Sequence, residues 1–210
     1  MRTSGIESVI KKVLNVGGNN KAIPIPSCFE GWQHDLLDID PMGNPDILCD
    51  SREMWKLPPR QYDAVYCSHN LEHYFAHDVL KVLKGFRLIL KKDGFAYIRV
   101  PNLLGVIQVM VKTGMELDDL LYMTPYGDPI APIDVIYGFR KQIAQSGVDF
   151  FAHKTGFSVS LLVRELKQSG FSDVFTRHDD LEVTAFAFNN RPTLDHLQML
   201  NLELSEEVSN

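Results

Sequence analysis

Tyr62-Asp63-Ala64-Val65-Tyr66-Cys67-Ser68-His69-Asn70-Leu71-Glu72-His73 is the stretch that decides the fold. A short run rich in aromatic and β-branched side chains turns polar at Ser68. That length and composition, closed by a polar cluster, predict a buried strand running into a loop. Downstream, Val79, Leu80, Val82, Leu83, Phe86 and Leu90 fall at helical spacing, predicting a helix over about 78–90. Lys91 and Lys92 suit its last turn, and Asp93-Gly94 its end. Phe95 to Val100 then reads as another strand, stopped by Pro101.

Upstream the same rhythm holds. Val13 to Val16 is closed by Gly17-Gly18, Leu36-Leu37 leads into Asp38, and Asp46 to Cys49 leads into Asp50. Short apolar runs alternating with amphipathic helices predict βαβ units around a parallel sheet with strands buried on both faces. A second helix is predicted over about 158–169, stopped by Gly170. Val174-Phe175 and Glu182 to Phe188 read as a late antiparallel pair. The fold class expected is α/β: a Rossmann-like, doubly wound, mostly parallel sheet with an antiparallel last strand. One domain is expected over 1–210, with a lid-like insertion over 103–157 and a helical tail over 191–210, around Leu194 to Leu204.

Composition narrows the function. The chain has 210 residues and a formal net charge of -6. Its Lys and Arg residues are scattered, which argues against a nucleic-acid partner. Cys28, Cys49 and Cys67 lie far apart, as free thiols in a reducing compartment do. No signal-like or membrane-length apolar run is seen, so a cytoplasmic protein with no membrane partner is expected. The oligomeric state stays open, with a homodimer among the options.

Open α/β sheets bind ligands beyond the carboxyl ends of their strands. The residues there are Gly17-Gly18-Asn19-Asn20, Asp38-Ile39-Asp40, Asp50-Ser51, Ser68 to His73, and Pro101-Asn102. Taken singly each has a plain reading. A glycine pair is a common turn, and Asp40-Pro41 is a good turn starter.

The stretch from Val13 to Asn102 resembles the class I S-adenosylmethionine-dependent methyltransferases, in particular their small-molecule, type 11-like branch. Tyr62-Asp63-Ala64-Val65, then Ser68 and Leu71-Glu72-His73, match that branch's fourth-strand motif. Phe86 to Gly94 and Val100-Pro101-Asn102 match its next helix and strand. The resemblance implies S-adenosylmethionine as cofactor, with Gly17 and Gly18 against its methionine part. Asp38 would hold the ribose hydroxyls, Asp50 with Ser51 the adenine, and Ser68 and His69 the reactive end. Asn15 and Asp40 complete the expected cofactor set. The activity implied is methyl transfer to a small molecule, as in O-methylation of a sugar or specialised metabolite. A non-catalytic binding or scaffold protein on the same fold is the alternative.

The sequence also departs from the family. Asn15 stands where an acid is common, the alternating glycines are incomplete, and Pro24 and Pro26 require the first helix to be short or missing. No GxGxxG turn is present for a dinucleotide. Histidine is the natural base near neutral pH, so His69, then His73 and His153, are the catalytic candidates. His69, His73 and His77 share four-residue spacing, but the segment is expected to span a loop and a helix start, so no metal is expected. Tyr122, Tyr126, Tyr137, Phe139, Phe150 and Phe151 are candidates to line a substrate pocket in the insertion.

Overall fold

The computed structural model describes residues 10–203. The first strand, β1 (Lys12–Val16), pairs in parallel with β2 (Gln33–Asp38), and β2 with β3 (Ile47–Leu48). On its other side β1 pairs with β4 (Tyr62–Ser68), which is followed by α1 (Ala76–Ile89) and β5 (Leu90–Pro101). An insertion follows, with α2 (Leu103–Thr113), a hairpin of β6 (Tyr122–Met123) and β7 (Pro129–Ile130), α3 (Pro132–Tyr137) and α4 (Arg140–Ser146). The chain then forms α5 (Val159–Ser169), β8 (Asp173–His178), β9 (Glu182–Phe188) and α6 (Leu194–Leu200). The main sheet has seven strands in the order β3-β2-β1-β4-β5-β9-β8. Only β9 runs antiparallel to its neighbours β5 and β8. The order reverses between β1 and β4, which puts a switch point at their carboxyl ends.

Two clusters form the core. On one face, Val79, Val82, Leu83 and Phe86 of α1 and Leu162 and Leu166 of α5 pack on Leu14, Val65, Ile98 and Val100. These are the apolar stripes read from the sequence. The other face differs from an ordinary doubly wound sheet. As the prolines require, β1 and β2 are joined without an α-helix, and only Ser27–Phe29 makes one 3₁₀ turn. Phe29 itself covers the sheet, stacked on Phe95 with ring centroids 6.2 Å apart. Phe186, Phe188 and Leu200 of α6 complete this aromatic layer.

Three boundaries depart from expectation. α1 ends at Ile89, so Lys91, Lys92 and Asp93-Gly94 belong to β5. Lys91 is held there by Asp63, Nζ to Oδ2 at 2.8 Å. The expected lid is folded rather than loop-like: three short helices and a hairpin. Its ends meet, because the Leu103 amide donates to the Phe157 carbonyl at 2.9 Å. The tail helix begins at Leu194 as expected and stops at Leu200; Leu204 and the rest of the tail lie outside the described residues, as do 1–9. Among the described residues no helix is long and apolar enough to cross a membrane.

Candidate functional site

The site is built where β1, β2 and β4 end. Gly17 leaves β1 at φ +71°, a left-handed conformation that side chains resist. Its amide donates to the Leu37 carbonyl at 2.9 Å, which ties the turn to β2. A Cβ on Gly17 would lie 2.1 Å from Nδ2 of Asn70, so the Asn70 side chain occupies that space. Asn15, buried in β1, supports the next residue in the same way: a Cβ on Gly18 would lie 2.1 Å from its Nδ2. Asn15 thus acts as the floor of the turn.

Asp38 ends β2 and is nearly buried. Its Oδ2 accepts from the Asn19 amide at 2.9 Å and its Oδ1 from the Asp40 amide at 3.0 Å. A carboxylate oxygen has two lone-pair sites, so each retains one for a further donor. Asp40 caps its own turn, accepting from the Met42 amide at 2.9 Å. Asp50 likewise caps the 3₁₀ segment Ser51–Lys56 and pairs with Arg52, Nη2 to Oδ2 at 2.6 Å. That pairing and the Arg52 amide outweigh burial and hold the Asp50 carboxyl below its ordinary range. Ser51 is buried behind it.

Two cavities open here. One of about 250 Å³ is lined by Ile39, Asp50, Asn70, Tyr74 and, from the insertion, Phe150 and Lys154. The other, about 160 Å³, is lined by His69, Glu72, Tyr122, Asp134, Phe139 and His153. Of the six aromatics singled out, Tyr122, Phe139 and Phe150 line these cavities, whereas Tyr126, Tyr137 and Phe151 line neither. A larger concavity, about 750 Å³, lies at the opposite end of the strands beside Arg60, Lys84 and Arg87. It is remote from every residue at the switch point, where open sheets bind ligands.

The histidines separate into two kinds. His69 follows Ser68 at φ +49°, and its ring lies between two acids. Nε2 is 3.0 Å from Glu182 Oε2 and Nδ1 is 3.5 Å from Glu72 Oε1. Burial opposes its charge, but the bond to Glu182 and the nearby Glu72 carboxylate prevail and push its pKa up to about 9. An imidazolium has no lone pair to take a proton, which speaks against the base role expected of His69. His73 and His153 pack edge to face with centroids 4.9 Å apart. His73 Nδ1 donates to the Ala152 carbonyl at 3.2 Å, and His153 Nδ1 to the Val135 carbonyl at 2.8 Å. A carbonyl only accepts, so in the neutral form of each ring the lone pair is on Nε2. Burial lowers the His153 pKa. His77 sits exposed on α1, apart from the other two.

Glu72 and Glu182 are the functional-looking acids missed in the sequence. Glu72 was visible only as part of the Leu71-Glu72-His73 motif, and nothing in its spacing marks burial. Glu182 begins an apolar strand and receives Arg99, Nη2 to Oε2 at 2.7 Å. Burial raises its pKa, but His69 and Arg99 outweigh that and bring it down to about 2. Thr184 also donates to Oε1, and Tyr122 is within reach of its charge. A depressed carboxyl contributes stability above its unfolded pKa of about 4.3 and loses it as pH falls toward 2. Between those limits wild type is expected to lose an increment of stability that Glu182→Gln never had. Urea melts of both proteins across that range check this; parallel curves would show the pairing contributes nothing.

No protein-family model and no curated protein sequence matches the chain. Solved structures do. A SAM-dependent methyltransferase from Archaeoglobus fulgidus superposes with a TM-score of 0.54 at 15% identity, over 85% of this chain and 86% of that one. The fold is that of the class I methyltransferases. An S-adenosylmethionine-dependent methyltransferase from Mesorhizobium loti gives a TM-score of 0.50 at 16% identity, over 84% and 90% of the two chains. An O-methyltransferase family protein from Burkholderia thailandensis gives 0.51 at 11% identity over 85% of this chain, which spans only 50% of that longer protein. The methyltransferase fold accounts for the strand order and for the antiparallel β9.

Proposed function

We propose that the chain binds S-adenosylmethionine across the carboxyl ends of β1, β2 and β4 and transfers its methyl group to a small molecule. The observation that carries this is the joined turn of β1 and β2: Gly17 in a left-handed conformation, with Asp38 beside it and bonded to the Asn19 amide at 2.9 Å. The residues fit the group. Gly17 permits the left-handed turn that brings the chain past Asp38, and Asp38 retains acceptor sites for two hydroxyls. Ile39, Asp50 and Tyr74 line the cavity next to it, with the size and polarity suited to an adenine. The resemblance to the small-molecule branch supports the acceptor class, as does the acidic net charge.

The sulfonium, when bound, supplies an already activated methyl group. The chain's own task is then largely to position donor and acceptor, for which effective molarities reach about 10⁵–10⁸ M. Gly17, Asn15 and Asn70 shape the turn, Asp38 orients the ribose, and the insertion closes both cavities. His69, Glu72, His73 and His153 form the acceptor end. An oxygen acceptor, as on a sugar or specialised metabolite, suits this polar wall. The protein's surroundings are proposed to be the cytoplasm, consistent with three unpaired cysteines among the described residues.

Calorimetric titration with S-adenosylhomocysteine tests the reading. Binding in the micromolar range is expected, and Asp38→Ala is expected to weaken it at least tenfold while the protein stays folded. A non-catalytic binding role on the same fold, suggested by the missing helix after β1, predicts no binding by folded wild type. Unchanged affinity in Asp38→Ala would remove the ribose assignment.

A further inference from the structure

Glu72 is the anomaly of the acceptor end. It is 1% exposed, and neither carboxylate oxygen has a hydrogen-bond partner among the described residues. His69 Nδ1 approaches Oε1 only to 3.5 Å, outside hydrogen-bond geometry. A buried carboxylate with one cation at 3.5 Å and no close hydrogen bond is costly, and such groups call for a ligand or ion to complete them. Glu72, His73 and His153 each bring one ligand atom to within 4.8 Å of the others. In both histidines Nδ1 is held by a backbone carbonyl, at 3.2 and 2.8 Å. That is the outer-shell arrangement that fixes the tautomer of metal-bound histidine and leaves Nε2 to bind.

We propose that Glu72, His73 and His153 hold one divalent transition-metal ion of the zinc class. Two imidazoles and one carboxylate make the three-protein-ligand set of open zinc sites. Bonds of about 2.0–2.2 Å place tetrahedral ligand atoms about 3.3 Å apart, so a side-chain adjustment of about an ångström closes the site. A magnesium or calcium site would call for more oxygen ligands. The four-residue histidine spacing that raised a metal site in the sequence concerned His69, His73 and His77; the set here keeps only His73 and draws its other ligands from elsewhere.

The ligands come from two parts of the fold. Glu72 and His73 sit in the 3₁₀ turn after β4, and His153 sits in the insertion. The backbone already joins them: the Lys154 amide donates to the Glu72 carbonyl at 2.7 Å. A bound ion fastens the insertion to the sheet at the same point. Glu72 and His153 also line the cavity of about 160 Å³, so the open fourth position faces the acceptor space. There an acceptor oxygen would coordinate, and His73 and His153 serve as ligands rather than bases.

The experiment needs no cofactor, so it stands apart from the methyltransferase reading. Chelator-treated protein is titrated with zinc by calorimetry and with cobalt by visible absorption. One zinc per chain is expected, with the intense absorption of tetrahedral cobalt. Glu72→Gln and His153→Gln are expected to weaken binding by more than the roughly 10–100-fold that outer-shell changes cost, and His77→Gln to leave it unchanged. Zinc is expected to slow proteolysis within 103–157. Absence of saturable zinc binding by folded wild type overturns the site, and so does equal affinity in the two ligand variants. Should a variant fail to fold, the wild-type cobalt spectrum decides: the weak absorption of solvated cobalt overturns the assignment.

Discussion

Gly17→Ala is expected to abolish measurable S-adenosylhomocysteine binding while leaving a folded but less stable protein. Two costs combine. Alanine at φ +71° pays about 1–2 kcal/mol for the left-handed conformation. The new Cβ would also lie 2.1 Å from Asn70 Nδ2, 2.3 Å from Cγ and 2.9 Å from Cβ, so the Asn70 side chain must leave. Asn70 lines the adenine-side cavity, so its displacement distorts that wall as well. A misplacement of about an ångström in a site costs roughly 10²-fold. Thermal melting and calorimetry on Gly17→Ala, Asn70→Ala and the double variant separate the two costs. Partial recovery of stability in the double variant is expected, partial because Cβ of residue 70 stays too close. Wild-type affinity in Gly17→Ala would mean the turn is no part of the cofactor wall.

Phe29→Ala is expected to cost about 3–5 kcal/mol, the range for truncating a buried phenylalanine. In a domain of this size that lowers Tm by roughly 6–20 °C. Phe29 is buried against Phe95, Tyr66, Tyr97 and Trp32. It sits on a single 3₁₀ turn where a doubly wound fold ordinarily places a helix. A helix could slide to fill part of a void; an isolated ring on a short turn after Pro24 and Pro26 has no neighbour to take its place. Tyr126→Ala, at an exposed loop position, serves as the control and should melt like wild type. A loss below about 1 kcal/mol for Phe29→Ala would show that the segment is only loosely seated.

The strands and the two long helices were legible because their signals are local. Val79, Val82, Leu83 and Phe86 repeat at helical spacing, and that face lies on the sheet. β9 was read to the residue, Glu182 to Phe188. The insertion was not legible. Pro129 starts a strand and Pro132 the first turn of α3, positions where no backbone amide is needed. The site was half legible. The ordered acids after the strands marked where a cofactor would lie. Burial of Glu72 and the meeting of His73 with His153 depend on contacts across about eighty positions of chain, which no window of sequence contains. Lys91 and Lys92 misled because cations suit a helix end, whereas Asp63 on the neighbouring strand draws Lys91 into the sheet.

The aromatic face of the sheet has a consequence for the order in which the chain is made. Phe29 and Phe95 leave the ribosome well before Phe186, Phe188 and Leu200, which finish their cover. With synthesis at about 5–20 residues per second, these rings stay uncovered for several seconds. The helical face also waits on β9, whose Val183, Ala185 and Ala187 belong to its core. A chain truncated before α6 therefore lacks Leu200 from the cover of the aromatic face.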